Sequence, residues 1–560
     1  MKRLLPLLTA GAFAAAVAAG SAVPAGAAAG VAPGARAGTA TPAVHSSGRS
    51  AAAAPMRLPG GFKHLVVIYE ENHSFDNLYS MWGPVRGQRV DGLSNARLGH
   101  TVQVAQDGTR YRCLLQVDVN LSPPQVPNTC QDAGHGVPES RFVNLPFAID
   151  NYIRPHDRTC PAPGVFAENG VLKGSEGALP GGCTRDLVHR FYQEQYQING
   201  GRQNRYVTGS DAVGLTMGHY ATRRLPIWRY LHSDSAPKYV VADRFFQAAF
   251  GGSFLNHQWL IAARSPFDAS GGALGAAHSV LDANGMVKSY PLYTTTRDDA
   301  VDGQLTRECA VATENHYGMA CGDYAVNTVQ PSNPPAAASG AKIALVNDDR
   351  FPNIGDRLTD AGISWKWYSG GWDDAAGGNP GPLFQFHHQP FNYFADYAPG
   401  QPGRRHLRDE TEFFGAARSG HLPRVSFVKP YGAENEHPGY ASEPNGSDHL
   451  VELLKAVTGG PQARSTLVVV TYDEFGGQWD HVSPPGQGTP GVHDAWGPGT
   501  RIPALILSRA FAHSGVDHRV YDTTSILATI ERSFGLEPLS SRDAAVNSLR
   551  HAVHVAGGRK

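Results

Sequence analysis

The chain has 560 residues, a formal net charge of −1 and 17% charged residues, so its charge gives no reason to expect binding to nucleic acid or to an anionic membrane. Hydrophobic residues make up 41% of the sequence, which is too many for a disordered chain. The 64 glycines and 40 prolines favour a folded chain with long, turn-rich excursions.

The N-terminal residues have the pattern of an export signal. Lys2 and Arg3 precede an apolar run from Leu4 to Ala19, and Ala25-Gly26-Ala27 is a candidate cleavage site. The run is shorter than the ~20 residues of a membrane-spanning helix, which favours a cleaved signal over an anchor. We therefore predict a signal peptide over residues 1–28, secretion, and no stable insertion into a membrane.

The domain organisation follows from composition. Residues 29–58 are mostly Ala, Gly, Pro and Ser, which predicts a low-complexity linker. Residues 59–555 are predicted to form a single domain, with loop-rich insertions near 100–200 and 265–335.

Six cysteines lie in these two insertions. An even number in an exported chain favours three disulfides over a zinc site, since no Cys-x-x-Cys pair is present. Proximity in the sequence suggests the pairs Cys113–Cys130, Cys160–Cys183 and Cys309–Cys321, which is one of 15 pairings that six cysteines allow.

Two continuous apolar runs predict buried central strands. They extend from His64 to Tyr69 and from Thr466 to Tyr472, and such β-branched runs fit parallel strands covered on both faces. Acidic residues follow both runs, with Glu71 after the first and Asp473-Glu474 after the second. Because ligands bind at the carboxyl ends of parallel strands, both segments are candidates for a functional site.

Further elements alternate between strand and helix along the chain. Additional strands are predicted at Tyr239–Ala242, Lys342–Val346, Ser364–Tyr368, Val425–Val428 and Pro503–Leu507. Helices are predicted at His449–Val457, with Asn445 or Ser447 as its cap, and at Thr523–Phe534. This alternation predicts an α/β domain in which helices flank a mixed or largely parallel sheet.

The first candidate site is the segment Glu71-Asn72-His73-Ser74-Phe75-Asp76 after the first strand. Carboxylate and amide oxygens are hard donors that suit a divalent cation. The alternative is an ordinary helix start, with Asn72 or Ser74 as the cap and Glu71 in solvent.

The second candidate site follows the last long strand. Asp473 and Glu474 are adjacent carboxylates, which repel each other unless a cation or a proton lies between them. Gly476-Gly477 allows a tight turn beside a site, and Asp480-His481 adds an acid and an imidazole. The alternative is a surface turn.

The third candidate is Ser253, which follows Gly251-Gly252 and precedes Asn256-His257. Its hydroxyl could be a nucleophile activated by a metal, or the serine could cap a helix; the segment is not the Gly-x-Ser-x-Gly elbow. Histidines number 24, and a set that converges on an anion would supply cations and general acids. Those in polar, turn-rich segments include His189, His387, His388 and His437.

The segment Glu71 to Asp76 resembles the Glu-Asn-x-Ser-Phe-Asp opening of the phosphoesterase family that contains bacterial phospholipases C and acid phosphatases of the AcpA type. Thr471 to Pro485 resembles the second signature of that family. Weaker matches lie between them in order, and the similarity extends from about residue 62 to residue 537. These matches are Asp186–His189 with Asn199–Gly201, Met217–Tyr220 with Leu225-Pro226, and His388–Phe391 with Tyr393-Phe394.

The resemblance implies an alkaline-phosphatase-like α/β core and one divalent metal ion. It implies that Ser253 is a metal-bound nucleophile that forms a phosphoserine. The metal ligands would be Glu71, Asn72, Ser253, Asp473 and Glu474. The other catalytic residues would be His189, His388 and His437, and substrate would also contact Asn72, Asn256, His387 and His481. The choice between His387 and His388 stays open, and Phe475 departs from the histidine common after the Asp-Glu pair.

Three functions compete on this basis. An acid phosphatase acting on small monoesters is favoured, because serine stands where phospholipases usually carry threonine and no basic amphipathic helix is evident. The alternatives are a phospholipase C that cleaves phospholipid phosphodiesters and a secreted binding protein without catalysis. Oxygen-rich ligands favour calcium, magnesium or manganese, with iron or zinc as alternatives. The sequence does not indicate the oligomeric state.

Overall fold

In a computed structural model of the chain, eight strands form the central sheet. In chain order they are β1 (His64–Glu70), β2 (Lys238–Ala242), β3 (Trp365–Ser369), β4 (Leu407–Asp409), β5 (Val425–Lys429), β6 (Thr466–Tyr472), β7 (Ala504–Ser508) and β8 (Gly515–Asp517). Their order across the sheet is β8-β2-β7-β6-β1-β5-β3-β4.

The structure describes residues 57–117, 127–135, 137–151, 161–166, 172–174, 186–210, 212–264, 345–349, 351–439, 441–494 and 496–557. All of them belong to one compact unit, Pro55–Lys560. The predicted signal peptide, the linker up to residue 56 and the predicted insertion near 265–335 lie outside the described residues, so the predicted domain boundaries stay predictions.

Strand β1 lies at the middle of the sheet, parallel to β5 on one side and to β6 on the other. Every residue of β6 is buried, and so is every residue of β1 except His64, as their unbroken apolar runs predict. Only β7 is antiparallel to its neighbours, β6 and β2. The predicted α/β fold with a largely parallel sheet is therefore confirmed.

Helices cover the sheet. Among the described residues, the α-helices are α1 (Phe75–Leu78), α2 (Leu98–Thr101), α3 (Phe191–Ile198), α4 (Pro226–Leu231), α5 (Ser253–Ala262), α6 (Ile354–Asp360), α7 (Trp372–Ala376), α8 (Glu410–Ser419), α9 (Glu443–Gly459), α10 (Thr524–Phe534), α11 (Ser541–Ala545) and α12 (Arg550–Val555). Short strands also pair outside the sheet, Phe147–Ala148 with Gly218–His219, Phe245–Phe246 with Tyr521–Asp522, and Pro161–Phe166 with Leu172–Gly174.

Helix α9 begins six residues before its predicted start, and the predicted caps were wrong. Its cap is Ser442, whose hydroxyl accepts a hydrogen bond from the backbone N–H of Asn445 at 3.2 Å. Pro444 stands in the first turn, where its missing N–H costs nothing. Asn445 and Ser447 consequently lie inside the helix.

The other predicted elements agree with the structure to within a residue or two, apart from Lys342–Val346, most of which lies outside the described residues. Strands β4 and β8 were not predicted, because three residues are too few to show an apolar pattern. None of the helices described is both long enough and apolar enough to cross a membrane.

A second hydrophobic cluster packs beside the main core. It combines residues of the predicted insertion near 100–200, such as Leu114 and Phe191, with Leu255 and Phe475. The disulfide predicted between Cys113 and Cys130 is present, with a Cα–Cα distance of 5.0 Å. The other four cysteines lie outside the described residues.

Candidate active site

Two polar segments meet at the carboxyl edge of the sheet, because strands β1 and β6 end level with each other. Glu70 is in register with Tyr472, so the residues that follow, Glu71 and Asp473, lie side by side. The backbone N–H of Asp473 donates to the carbonyl of Glu70 at 3.0 Å. Asp473 Oδ1 in turn accepts the backbone N–H of Asn72 at 2.9 Å.

Ser253, the first residue of α5, brings its hydroxyl to this edge. Its Oγ lies 3.0 Å from Glu71 Oε2, 3.3 Å from Asn72 Oδ1 and 3.4 Å from Glu474 Oε1. The structure thus brings together all five residues predicted as metal ligands. Each of the five is at most 1% exposed. We call these residues the oxygen cluster: Glu71, Asn72, Ser253, Asp473 and Glu474.

Tight backbone turns make this packing possible. Asn72 has a φ of 59°, a left-handed conformation that asparagine tolerates better than most residues. Gly476 has a φ of 62°, and a Cβ built on it would lie 2.1 Å from the carbonyl oxygen of Asn72. Only glycine fits there, and its N–H donates to Glu474 Oε2 at 2.6 Å. Gly476 therefore allows the segment Asp473-Glu474 to pack closely against Glu71-Asn72.

The turn that precedes Ser253 is held by Asn256 from within α5. Asn256 Oδ1 accepts the backbone N–H of Ala249 at 3.0 Å, and Nδ2 donates to the carbonyls of Ala249, Gly252 and Gly251 at 3.0, 3.2 and 3.3 Å. Its amide therefore bonds to the turn and not to the oxygen cluster. The substrate contact predicted for Asn256 stays a prediction that the geometry does not favour.

A buried carboxyl group, Glu194, connects the turn before Ser253 with the segment that follows Glu474. This residue was not predicted from the sequence. It accepts the N–H of Gly251 at 2.6 Å, Gln247 Nε2 at 2.9 Å, and the N–H and hydroxyl of Thr500 at 2.7 and 2.8 Å. Gln247 Oε1 accepts the N–H of Phe475 at 3.0 Å. Burial raises the pKa of Glu194 to about 8, although these donors lower it.

Lys429, the last residue of β5, was also missed. Its Nζ donates to the carbonyl of Tyr69 at 2.9 Å and forms an ion pair with Glu71 Oε1, and all of these groups are buried. Burial alone raises the pKa of Glu71, but Lys429 and then His388 lower it well below its usual range. A lysine directly after an apolar run, at the edge where ligands bind, was the available sequence signal.

Two predicted histidines contact the oxygen cluster directly. His189 Nε2 lies 3.4 Å from Asn72 Nδ2 and 3.5 Å from Glu474 Oε1. His388 Nε2 lies 3.1 Å from Glu71 Oε1. Burial lowers the pKa of both imidazoles, and that of His189 falls well below its usual range.

Three further histidines lie around His388. The His257 ring stacks on it at 5.4 Å, and His257 Nε2 is 3.6 Å from Glu71 Oε1. His257 follows Ser253 by one helical turn, and that spacing was the signal that could have found it. The His387 ring meets His388 edge to face at 4.7 Å. Burial lowers the pKa of His437 to about 4, while the charge of Glu71 raises it.

His481 belongs to a different buried cluster. Its Nδ1 lies 2.5 Å from Asp76 Oδ2 and its Nε2 lies 3.4 Å from Asp91 Oδ1. Arg501 pairs with Asp76 and Asp480 at 3.1 Å. Burial lowers the pKa of His481, but Asp76 raises it more, to about 9. The structure therefore places His481 in an ion-pair network and not among the oxygen cluster.

The donor set of the oxygen cluster fits a divalent cation. Asp473 Oδ2 is buried and has no hydrogen-bond partner among the described residues. Burial, and then the neighbouring acid in each case, raises the pKa of Asp473 and of Glu474 well above the usual range. Acidic and histidine side chains that could hold a metal lie close together here, in the groups Glu71, His387, His388 and Glu71, His257, Asp473. A cation would relieve the crowding of negative charge.

Comparison with known proteins relates the chain to enzymes that cleave phosphate esters. A model of the phosphoesterase family matches residues 170–537. Phospholipase C B of Mycobacterium tuberculosis is 25% identical over 475 residues, which cover 75% of this chain and 76% of that protein. The non-hemolytic phospholipase C of Burkholderia pseudomallei is 30% identical over 241 residues, 35% of this chain and 34% of that protein.

Among solved structures, similarity is weak. A 2-O GAG sulfatase has a TM-score of 0.27 at 12% identity, over 62% of this chain and 71% of that one. A protein of the alkaline phosphatase superfamily from Vibrio parahaemolyticus has a TM-score of 0.21 at 12% identity, over 34% of this chain and 50% of that one. Scores this low support no argument about this chain.

The family match covers more than half of the 560 residues, and it includes Ser253, Asp473 and Glu474 of the oxygen cluster. Curated relatives that match most of the chain are phospholipases C. The chain therefore belongs to the phosphoesterase family and is a hydrolase that acts on phosphoric ester bonds.

Proposed function

We propose that the protein is a secreted, metal-dependent phosphatase of the acid phosphatase kind, in which Ser253 is the nucleophile. The observation that carries this proposal is the position of Ser253 Oγ within 3.0 to 3.4 Å of Glu71, Asn72 and Glu474 oxygens. A hydroxyl has one hydrogen to donate. The hydroxyl can therefore satisfy only one of these oxygens, and a cation shared by the group would be attracted to all of them.

A bound divalent ion at the oxygen cluster would lower the pKa of the Ser253 hydroxyl and neutralise phosphate oxygens. Ser253 Oγ, having lost its proton, attacks phosphorus, and the bond from phosphorus to the leaving oxygen breaks. The proton of Ser253 would pass to a histidine, His189 or His388, whose lowered pKa leaves the imidazole neutral and able to accept it, and the same histidine would then donate it to the leaving oxygen. Water then cleaves the phosphoserine, which releases phosphate and restores the hydroxyl.

The direct test replaces Ser253 and measures hydrolysis of p-nitrophenyl phosphate. We expect Ser253→Ala to lose activity by roughly a thousandfold or more, as for removal of other nucleophiles. Ser253→Thr keeps a hydroxyl and is the matched control, which we expect to retain measurable activity. Unchanged thermal unfolding of both variants would show that the fold is intact. Full activity of Ser253→Ala would refute the serine mechanism.

The metal is tested separately. Dialysis against a chelator should abolish activity, and readdition of calcium, magnesium or manganese in turn should show which ion restores it. We expect the metal-free protein to unfold at a lower temperature, because an ion that binds only the folded state stabilises it. Activity that survives complete removal of metal, verified by elemental analysis, would refute the proposed cofactor.

A second candidate is a phospholipase C that cleaves phospholipid phosphodiesters. It is favoured by the names of the curated relatives, which include phospholipase C B of Mycobacterium tuberculosis. Parallel assays on p-nitrophenyl phosphate and phosphatidylcholine separate the two activities. Turnover of neither substrate by the metal-loaded protein would favour a non-catalytic binding protein. Recovery of chain that lacks its first residues from the culture medium would test secretion.

A further inference from the structure

A strongly basic cavity lies outside the active site. It has a volume of about 790 Å³, and none of the described residues that line it is an aspartate or a glutamate. It shares no residue with the oxygen cluster or with the histidines around it. The arginines and histidines that line it are Arg57, Arg519, Arg532, Arg550, His551 and His554.

The charge of this cavity is only partly balanced by the protein, since Asp517 pairs with His551 alone among the described lining residues. Among the residues that the structure describes, no carboxylate lies within ion-pair distance of Arg57, Arg519 or Arg550. The whole chain has a net charge of −1, so the concentration of cations is local. Like charges gathered at one place repel each other, and an anion in the cavity would remove that repulsion.

Two of these side chains are held in place by the fold. Arg532 Nη2 donates to the backbone carbonyls of Ala544 and Val546 at 2.9 and 2.8 Å, which fixes the guanidinium. His551 Nδ1 lies 3.0 Å from both carboxylate oxygens of Asp517, so its other ring nitrogen is the one left for a ligand. Groups fixed before binding lose less entropy when a ligand arrives.

We propose that this cavity is a second anion site, which binds a phosphate group. Guanidinium groups form paired hydrogen bonds with phosphate oxygens. The four arginines carry more positive charge than one carboxylate group would balance. They therefore suit an ion that carries two negative charges, such as phosphate. The phosphate could be free or could be the headgroup of an anionic lipid, because the chemistry of recognition is the same.

The test measures binding of inorganic phosphate by calorimetry to the full-length protein and to two double variants. Arg519→Gln/Arg550→Gln removes two cavity cations that have no carboxylate partner among the described residues. Arg110→Gln/Arg229→Gln removes two exposed arginines elsewhere and changes the net charge equally. We expect the cavity variant to bind phosphate at least tenfold more weakly at this site, with the control unchanged. The inhibition of p-nitrophenyl phosphate hydrolysis by phosphate should stay the same in both variants.

Binding to vesicles distinguishes the two sources of phosphate. Co-sedimentation with vesicles that contain phosphatidylglycerol, but not with pure phosphatidylcholine, would identify a lipid headgroup if the cavity variant loses it. Phosphate binding without vesicle binding would identify a free anion. The proposal is overturned if the cavity variant binds phosphate as the wild type does, or if the control variant loses as much. These binding results do not depend on whether Ser253 is the nucleophile.

Discussion

The side chain of Asn256 gives the sharpest test of how the nucleophile is positioned. Its amide has two hydrogens and one acceptor oxygen. It can therefore form three good hydrogen bonds to the turn, one with the N–H of Ala249 and two with the nearby carbonyls. Asn256→Ala removes all three and leaves the buried N–H of Ala249 without a partner among the described residues. The carbonyl of Ala249 still accepts Gln247 Nε2 at 2.7 Å, and the carbonyl of Gly252 still accepts the backbone N–H of residue 256 at 3.2 Å.

The expected loss of stability follows from that count. Each intramolecular hydrogen bond contributes about 0.5–1.5 kcal/mol, so three of them amount to about 3 kcal/mol. The unsatisfied N–H of Ala249 adds to this loss, whereas the two carbonyls add nothing because each keeps another donor. Since the turn precedes Ser253, we expect kcat to fall while KM changes little.

Urea denaturation and steady-state kinetics on p-nitrophenyl phosphate measure the two effects of Asn256→Ala. Asn379→Ala is the control, because Asn379 is exposed and such changes usually stay within about 0.5 kcal/mol. If Asn256→Ala left the free energy of unfolding unchanged and raised only KM, our reasoning would be refuted. Asn256 would then contact substrate, as the sequence predicts.

Three further predictions concern charges and a cross-link. Folding raises the pKa of His481 from 6.5 to about 9. The protonated imidazole therefore adds stability that is complete below pH 6.5 and is lost as the pH rises through 9. We therefore expect the free energy of unfolding of His481→Gln, measured with urea, to depend less on pH over that range than that of the wild type. A pH dependence parallel to that of the wild type would contradict the ion pair with Asp76. Lys429→Met leaves Glu71 without its paired cation, and we expect a loss of about 3–5 kcal/mol in the same assay; a loss below about 1 kcal/mol would show that Glu71 is balanced by other groups. Cys113→Ser opens the loop to Cys130, which spans 17 residues, and should cost about 3 kcal/mol. A Cys113→Ser/Cys130→Ser variant should show the same loss, and a much larger loss in Cys113→Ser alone would point to an effect of the free thiol of Cys130.

The local elements could be predicted because they depend on local patterns. Unbroken apolar runs identified β1 and β6 almost to the residue, since a strand covered on both faces has no polar position. Because acidic residues directly follow those strands, the sequence predicted that the functional site lies at the carboxyl ends of β1 and β6. Helix α9 started earlier than predicted, because its first turn is polar and its cap, Ser442, precedes the apolar pattern.

The sequence also identified most of the residues that the structure brings together, through the family motifs that contain Glu71 and Asp473. It could not show that Asn256 bonds the turn before Ser253, since its amide could equally have faced substrate. Nor could it separate His481 from the oxygen cluster, because adjacent residues in a motif can face different clusters.

What only the tertiary structure decided is which distant side chains share the site. The sequence predicted no role for Lys429, His257 or Glu194, and each acquires its place in the site from contacts across long separations. Strand β5 brings Lys429 beside β1 because the two strands pair in parallel. Both side chains are buried there, and Lys429 forms an ion pair with Glu71. By itself the sequence determined the strands, the acidic ends and the family. The packing of the sheet decided the charge balance at the site, because a buried charge must find its partner in space and not along the chain.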